Sequence, residues 1–141
     1  MVLDTSKNTV AQNMFSSCTS LTELPKLDFS NASSAYATFS WCIKLHTIEE
    51  LVLGNSATTF TSTFNRCDAL QNIIITGAIY NDISFKDSKL LTHESLMSII
   101  NALYDYKDSG KTYTVTLGTE NLAKLTDAEK AIATQKGWTL A

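Results

Sequence analysis

The stretch Phe39-Ser-Trp-Cys42-Ile-Lys-Leu45-His-Thr-Ile48-Glu-Glu-Leu51-Val-Leu53 decides the fold. Its skeleton, F-x-x-C-x-x-L-x-x-I-x-x-L-x-L, returns upstream at Phe15, Cys18, Leu21, Leu24, Leu27 and Phe29, and downstream at Phe64, Cys67, Leu70, Ile73 and Ile75. A worn fourth copy follows at Phe85, Ser88 and Leu91. The Phe, Cys/Ser and Leu columns all step by 24, 25 and 21 residues. Three columns moving together mark an internal repeat, and a repeat of this length predicts a solenoid whose units bury their apolar faces against one another.

Each copy divides into two halves. The F-x-x-C-x-x-L half has the spacing of one helical face and follows turn-forming residues such as Asn31-Ala-Ser-Ser and Asn55-Ser-Ala-Thr, so it predicts a short helix. The second half, Leu27-Asp28-Phe29, Leu51-Val52-Leu53 and Ile73-Ile74-Ile75, alternates with period two and predicts a short strand. Stacked copies then pair their strands in parallel, with helices forming the opposite wall. Pro25, the single proline, falls just before the first of these strands, where a missing donor is tolerable. From Cys67 to Ile75 the third copy reads as three residues shorter than its predecessors, a loss of register towards the end of the repeats.

Two boundaries follow. At the N-terminus Leu3-Asp4-Thr5-Ser6 aligns with Leu27-Asp28-Phe29-Ser30, so the chain starts mid-repeat and its first edge is left uncapped, an edge open to self-association. Beyond Leu91 the pattern changes. Thr92 is placed to cap a helix with Leu96, Ile99, Ile100 and Leu103 on one face, and Gly110 closes the turn after it. Tyr113-Thr-Val115-Thr-Leu117-Gly118 alternates as a strand, and Thr126-Asp-Ala-Glu129 is a capping box for a helix through Ile132 that Gly137 stops. Val115 and Leu117 lie 23 residues before Trp138 and Leu140, a spacing close to the repeat. Residues 1–91 therefore divide as repeats, the first incomplete and the last degenerate, and residues 92–141 as a continuous helix–strand–helix–strand cap.

Composition narrows the function. A net charge of −3 supplies no field to gather nucleic acid or an anionic bilayer, and no apolar run reaches the ~18 residues of a membrane span. The N-terminal Met1-Val-Leu-Asp-Thr-Ser-Lys lacks the regions of a signal peptide. Cys18, Cys42 and Cys67 occupy one column of the repeat, which makes them free, buried, small hydrophobes rather than a disulfide framework or a metal set. No cofactor or metal is expected.

The segment Met14-Phe15-Ser-Ser-Cys18-Thr-Ser-Leu21-Thr-Glu-Leu24-Pro-Lys-Leu27-Asp-Phe29-Ser-Asn31 resembles the repeat unit of the BspA-like bacterial leucine-rich-repeat proteins. The tail Leu117-Gly-Thr-Glu-Asn-Leu122-Ala-Lys-Leu125-Thr-Asp-Ala-Glu-Lys-Ala-Ile132 is similar to a common ending in that family. The resemblance covers nearly the whole chain. It implies an α/β leucine-rich-repeat solenoid with strands on one face and helices on the other. It also implies a protein-interaction or adhesion role at a bacterial surface or in secretion, with a host or matrix protein as partner, and it brings no catalytic motif.

The candidate sites follow from the alternation along the strands. Residues between the inward columns face outwards: Asp4, Lys26 and Asp28; Glu50 and Val52; Asn72, Ile74 and Thr76; Thr114 and Thr116. Such a sheet is the usual binding face of a curved repeat protein. Asp28, Glu50, Val52, Asn72 and Ile74 are its candidate partner-binding residues, with an apolar centre at Val52 and Ile74 and an acidic flank at Asp4, Asp28 and Glu50. A structural cap or spacer with no ligand of its own is the alternative. An enzyme with Cys42 as nucleophile and His46 or His93 as base is a distant one, because the columnar twins of Cys42 are followed four residues on by Thr22 and Gln71 rather than histidine. Tyr36, Trp41 and Phe60, and Tyr104 and Tyr106 near the end of the long helix, are expected to pack in or against the core.

Overall fold

The computed structural model describes residues 2–141; the start of the expected repeat region at Met1 lies outside them. The chain is a mixed α/β protein with parallel strands in two sheets and few helices. In the first sheet β1 (Glu23–Leu24) and β2 (Leu27–Asp28) pair along one edge of β3 (Thr47–Leu53), and β4 (Asn72–Gly77) pairs along the other. In the second, β5 (Ile83–Ser84), β6 (Thr114–Thr116) and β7 (Thr139–Leu140) lie in that order. The helices are α1 (His93–Ala102), α2 (Thr119–Leu122) and α3 (Asp127–Gln135).

Register follows the repeat. Ile48 pairs with Leu24 on one side and Ile73 on the other, Leu51 with Leu27 and Ile75, and Val52 with Asp28 and Thr76. The apolar columns point inwards, where Leu24, Leu27, Ile48, Leu51 and Ile73 are almost wholly buried in one core that runs from Ala11 to Trp138. Pro25 sits between β1 and β2 and interrupts what β3 keeps continuous, as expected of a residue with no N–H to give the ladder. The third copy is shorter by one residue here, not three: the register shifts between Ile48 and Leu51, so that Glu49 and Glu50 bulge opposite the single Ile74. Gly77 then takes the slot of Leu53. Its φ of +80° is left-handed, and a Cβ there would collide with the Leu53 carbonyl, so glycine is required by both conformation and space.

The predicted helices of the F-x-x-C-x-x-L halves do not form; these segments are turns. Asn13, Ala37 and Ser62 occupy one column at positive φ, and Ser17, Trp41 and Arg66 a second column four residues on. A left-handed residue every fourth position is incompatible with an α-helix. Alternate amides instead reach the next copy. Ala11, Asn13, Phe15 and Ser17 donate to the carbonyls of Ser34, Tyr36, Thr38 and Ser40, and Ala35, Ala37, Phe39 and Trp41 to those of Thr59, Thr61, Thr63 and Asn65. The amides between them close i→i−3 turns, such as Cys42 to Phe39 and Cys67 to Phe64. Runs rich in Ser, Thr and Asn are modest helix formers, and a tertiary ladder that satisfies every second amide outcompetes the helix. The helical spacing is nonetheless the correct signal for burial. Phe15, Phe39, Phe64 and Phe85 stack with centroids 5.8, 5.3 and 4.5 Å apart.

The cysteine column splits. Cys42 and Cys67 are buried, whereas Cys18, in the first copy, is exposed. All three are free thiols. Burial also has a polar component that apolar spacing does not reveal. The Cys42 thiol donates to the Phe15 carbonyl and the Cys67 thiol to that of Phe39, both at 3.1 Å. Beside them Thr38 donates to the Ala11 carbonyl at 2.8 Å and Thr63 to that of Ala35 at 2.7 Å. Each buried hydroxyl or thiol thus ties its copy to the preceding one.

Beyond Leu91 the elements run helix, strand, short helix, helix, strand. Thr92 caps α1 by accepting from Ser95 N–H, and Thr126 and Glu129 form the expected capping box of α3. The outer edge of β4 is sealed by α1 rather than by a strand. Ile73 and Ile75 N–H donate to the Ser95 and Ser98 hydroxyls at 3.0 and 3.1 Å, and the same hydroxyls donate back to the Gln71 and Ile73 carbonyls. The Lys136 ammonium then caps α1 at its C-terminus by donating to the carbonyls of Ile100, Asn101 and Leu103.

Candidate functional site

Parallel pairing sets outward residues of successive copies side by side. On the outer face of the first sheet, Glu23, Thr47 and Asn72 form one row and Asp28, Val52 and Thr76 another. Lys26, Glu50 and Ile74 lie between the rows. Asp28, Glu50, Val52 and Ile74 are half-buried, and Asn72 is exposed at the β4 end. The structure therefore brings all five candidate residues onto one surface. It does not bring Thr114 and Thr116 there: both belong to β6 in the second sheet. Alternation alone cannot say which sheet a strand joins.

The acidic flank is organised rather than free. Glu50 is held by the Lys26 ammonium at 2.9 Å and accepts from the Thr76 hydroxyl at 2.8 Å, and these two contacts, Lys26 first, hold its carboxyl below the usual range. The Asp28 carboxylate accepts from Ser30 N–H at 2.9 Å, and its pKa is lowered chiefly by Ser30. Asp4 is lowered in the same way by the hydroxyl and amide of Ser6. Carboxylates that accept hydrogen bonds in their ionised form stay charged to lower pH.

Two acidic residues of this face, Glu23 and Glu49, and the hollow that they line went unread in the sequence. A hollow of about 430 Å³ is lined by Glu23, Leu24, Pro25, Thr47 and Glu49, where Pro25 interrupts the first strand and the Glu49–Glu50 bulge faces it. The available signal was the pair of adjacent glutamates opposite a proline, which breaks strict alternation. The side chains of Glu23 and Glu49 are exposed and carry no ion pair among the described residues. The face thus combines the half-buried apolar pair Val52 and Ile74 with a net acidic rim.

The remaining candidates lie apart. Cys42 is fully buried and burial pushes its thiol up to about 11, whereas His46 is exposed. His93 Nε2 lies 2.8 Å from Glu129 Oε1, joining α1 to α3. Among the described residues no group of three His, Cys, Asp or Glu side chains is placed to hold a metal ion. No described helix is long and apolar enough to cross a membrane. Phe60 and Tyr106 are buried as expected, whereas Tyr36, Trp41 and Tyr104 are 43%, 47% and 44% exposed. The Arg66 guanidinium lies 4.9 Å from the Trp41 ring centroid while pairing with Asp68 at 2.9 Å.

No family model, no curated protein and no solved structure matches the chain.

Proposed function

We propose that the chain is a short leucine-rich-repeat solenoid of BspA-like type serving as a non-catalytic protein-interaction or adhesion module of a bacterial surface or secreted protein. The solenoid reading is supported by the coincidence of sequence and spatial offsets: residues 24 apart, such as Leu27 and Leu51, are strand partners, and the Phe column stacks ring upon ring. The observation that carries the functional reading is the surface of Asp28, Glu50, Val52, Asn72 and Ile74, with the acidic hollow of Glu23 and Glu49 beside it. An apolar centre within a charged rim is the arrangement of a protein-docking patch. Its sign favours a partner, host or matrix protein, that presents lysine or arginine.

The test is binding of the immobilised protein to a panel of basic extracellular-matrix proteins, beside an Asp28→Lys/Val52→Glu variant of equal thermal stability. Saturable binding that the variant loses supports the reading. Binding that survives the double change removes this face from consideration.

A second reading, a structural cap or spacer, draws on the sealed end of the first sheet, where Ser95 and Ser98 take the place of a further strand. It predicts no partner for the face, and instead concentration-dependent association through the opposite edge, where Val10 is exposed and Phe15 and Leu21 are half-covered. Gel filtration over a range of concentrations separates the two.

A further inference from the structure

The wall opposite the first sheet is electrically polar. Its eight inter-copy bonds from Ala11, Asn13, Phe15, Ser17, Ala35, Ala37, Phe39 and Trp41 all donate forward, towards the C-terminal copy. Only the bonds at the mouth of each stretch, Ser33 to Thr9 and Thr59 to Ser33, run back. Aligned peptide dipoles place partial positive charge at the donor end, as in a helix. The repeat puts the next forward donors at Phe60, Ser62, Phe64 and Arg66. In register, the Phe64 amide would meet the Ser84 carbonyl, because Phe85 stacks on Phe64 as Phe64 stacks on Phe39. Phe85 N–H, however, donates to the Thr116 carbonyl, and β5 belongs to the second sheet. The ladder is therefore broken between Ser62 and Ser84. Among the described residues the amides of Phe60, Ser62 and Phe64 donate to no protein acceptor.

The break is a fissure. One cavity of about 170 Å³ is lined by Ser62, Phe64, Asn65, Ser84, Lys86 and Asp87. It continues past Ser62 and Ser84 into a second, of about 270 Å³, that reaches Phe60. The last donor of the row shows what such an amide takes: Arg66 N–H donates to the Asp87 carboxylate at 2.9 Å. The other acid at the rim, Asp82, is engaged by Thr114 N–H at 2.6 Å.

We propose that the amide row of Phe60, Ser62 and Phe64, with the Ser62 and Ser84 hydroxyls and the Lys86 ammonium, is a binding site for a small oxyanion, either free phosphate or the carboxylate of an acidic sugar. Main-chain N–H groups that line a concavity bind anions because each supplies a fixed dipole that needs no counter-charge. An amide without a protein acceptor is left to water, so the row is open to an oxyanion that reaches it. The volume admits an oxyanion with a few waters. Asp87 already neutralises one end, which selects a singly charged group over a more highly charged one.

Amide NMR of the intact chain, titrated with inorganic phosphate and separately with glucuronate against chloride at matched ionic strength, tests the site. Saturable shifts centred on Phe60, Ser62 and Phe64 are expected with the oxyanions and not with chloride. Tighter binding of glucuronate assigns the group to an acidic sugar, and tighter binding of phosphate to the free ion. Ser62→Asp, which sets a tethered carboxylate at the rim in a backbone conformation that aspartate tolerates, weakens binding by about tenfold or more. Lys86→Ala, at an exposed side chain, weakens it by a smaller factor and carries the test should the first variant not fold. Shifts no larger than those of chloride, saturable shifts elsewhere on the surface, or affinity unchanged in both variants would overturn the proposal.

Discussion

Asp87 Oδ2 accepts from Arg66 N–H at 2.9 Å, in the place where the earlier copies use a main-chain carbonyl. The contact ties the fourth, degenerate copy to the third at the edge of the fissure, along which no backbone bond joins the two among the described residues. Asp87→Ala is expected to destabilise the fold by ~1–2 kcal/mol and Asp87→Asn, which keeps an acceptor, by less than half of that, read from urea midpoints. Equal losses for the two would mean that the carboxylate's charge, not its geometry, matters at Arg66.

The left-handed columns give opposite signs at two positions. Ser62 is exposed with φ +57°, so Ser62→Gly removes strain without emptying any packing and should stabilise by ~0.5–1 kcal/mol. Gly77→Ala meets both a left-handed φ and the Leu53 carbonyl, and should cost about 3 kcal/mol or more. Thermal melts of the two variants check the pair of signs.

Ser95 and Ser98 substitute for a strand. Ser95→Ala leaves Ile73 N–H without its acceptor beneath a buried position, and ~1–3 kcal/mol should be lost; the double alanine variant should lose more. Hydrogen exchange gives the specific readout: the Ile73 and Ile75 amides should exchange faster while the Leu51 amide, inside the ladder, does not.

Thiol chemistry reports the stacking directly. Cys18 should react with a water-soluble disulfide reagent in the native protein, with Cys42 and Cys67 reacting only on unfolding. Burial raises the folded-state pKa of Cys42 from 9.0 to about 11, and that of Cys67 further. Between these limits the folded state binds more protons than the unfolded one, so stability present below about pH 9 is lost as pH rises towards 11, on the order of 2 kcal/mol for Cys42. Cys42→Ala should flatten that fall.

What the sequence determined by itself was the inward surface. The columns Phe39, Cys42, Leu45, Ile48, Leu51 and Leu53 are buried because each repeats at a fixed interval, and burial depends on periodicity whatever backbone carries it. The strands of the first sheet, the caps at Thr92 and Thr126 and the outward row of Asp28 and Val52 were legible for the same local reason. Tertiary structure decided the rest. Spacing of three and four residues marks a buried face, but it cannot say whether an amide bonds back along its own chain or across to the next copy. The left-handed residues at Asn13 and Ala37, neither of them glycine, are held by amide bonds to the next copy, to Tyr36 and Thr61, whereas Ser62 keeps the same conformation at the fissure where that bond is missing. The one-residue bulge at Glu49–Glu50, the departure of Thr114 and Thr116 to a second sheet and the amides left open at the fissure are likewise consequences of register between distant segments, which no local pattern encodes.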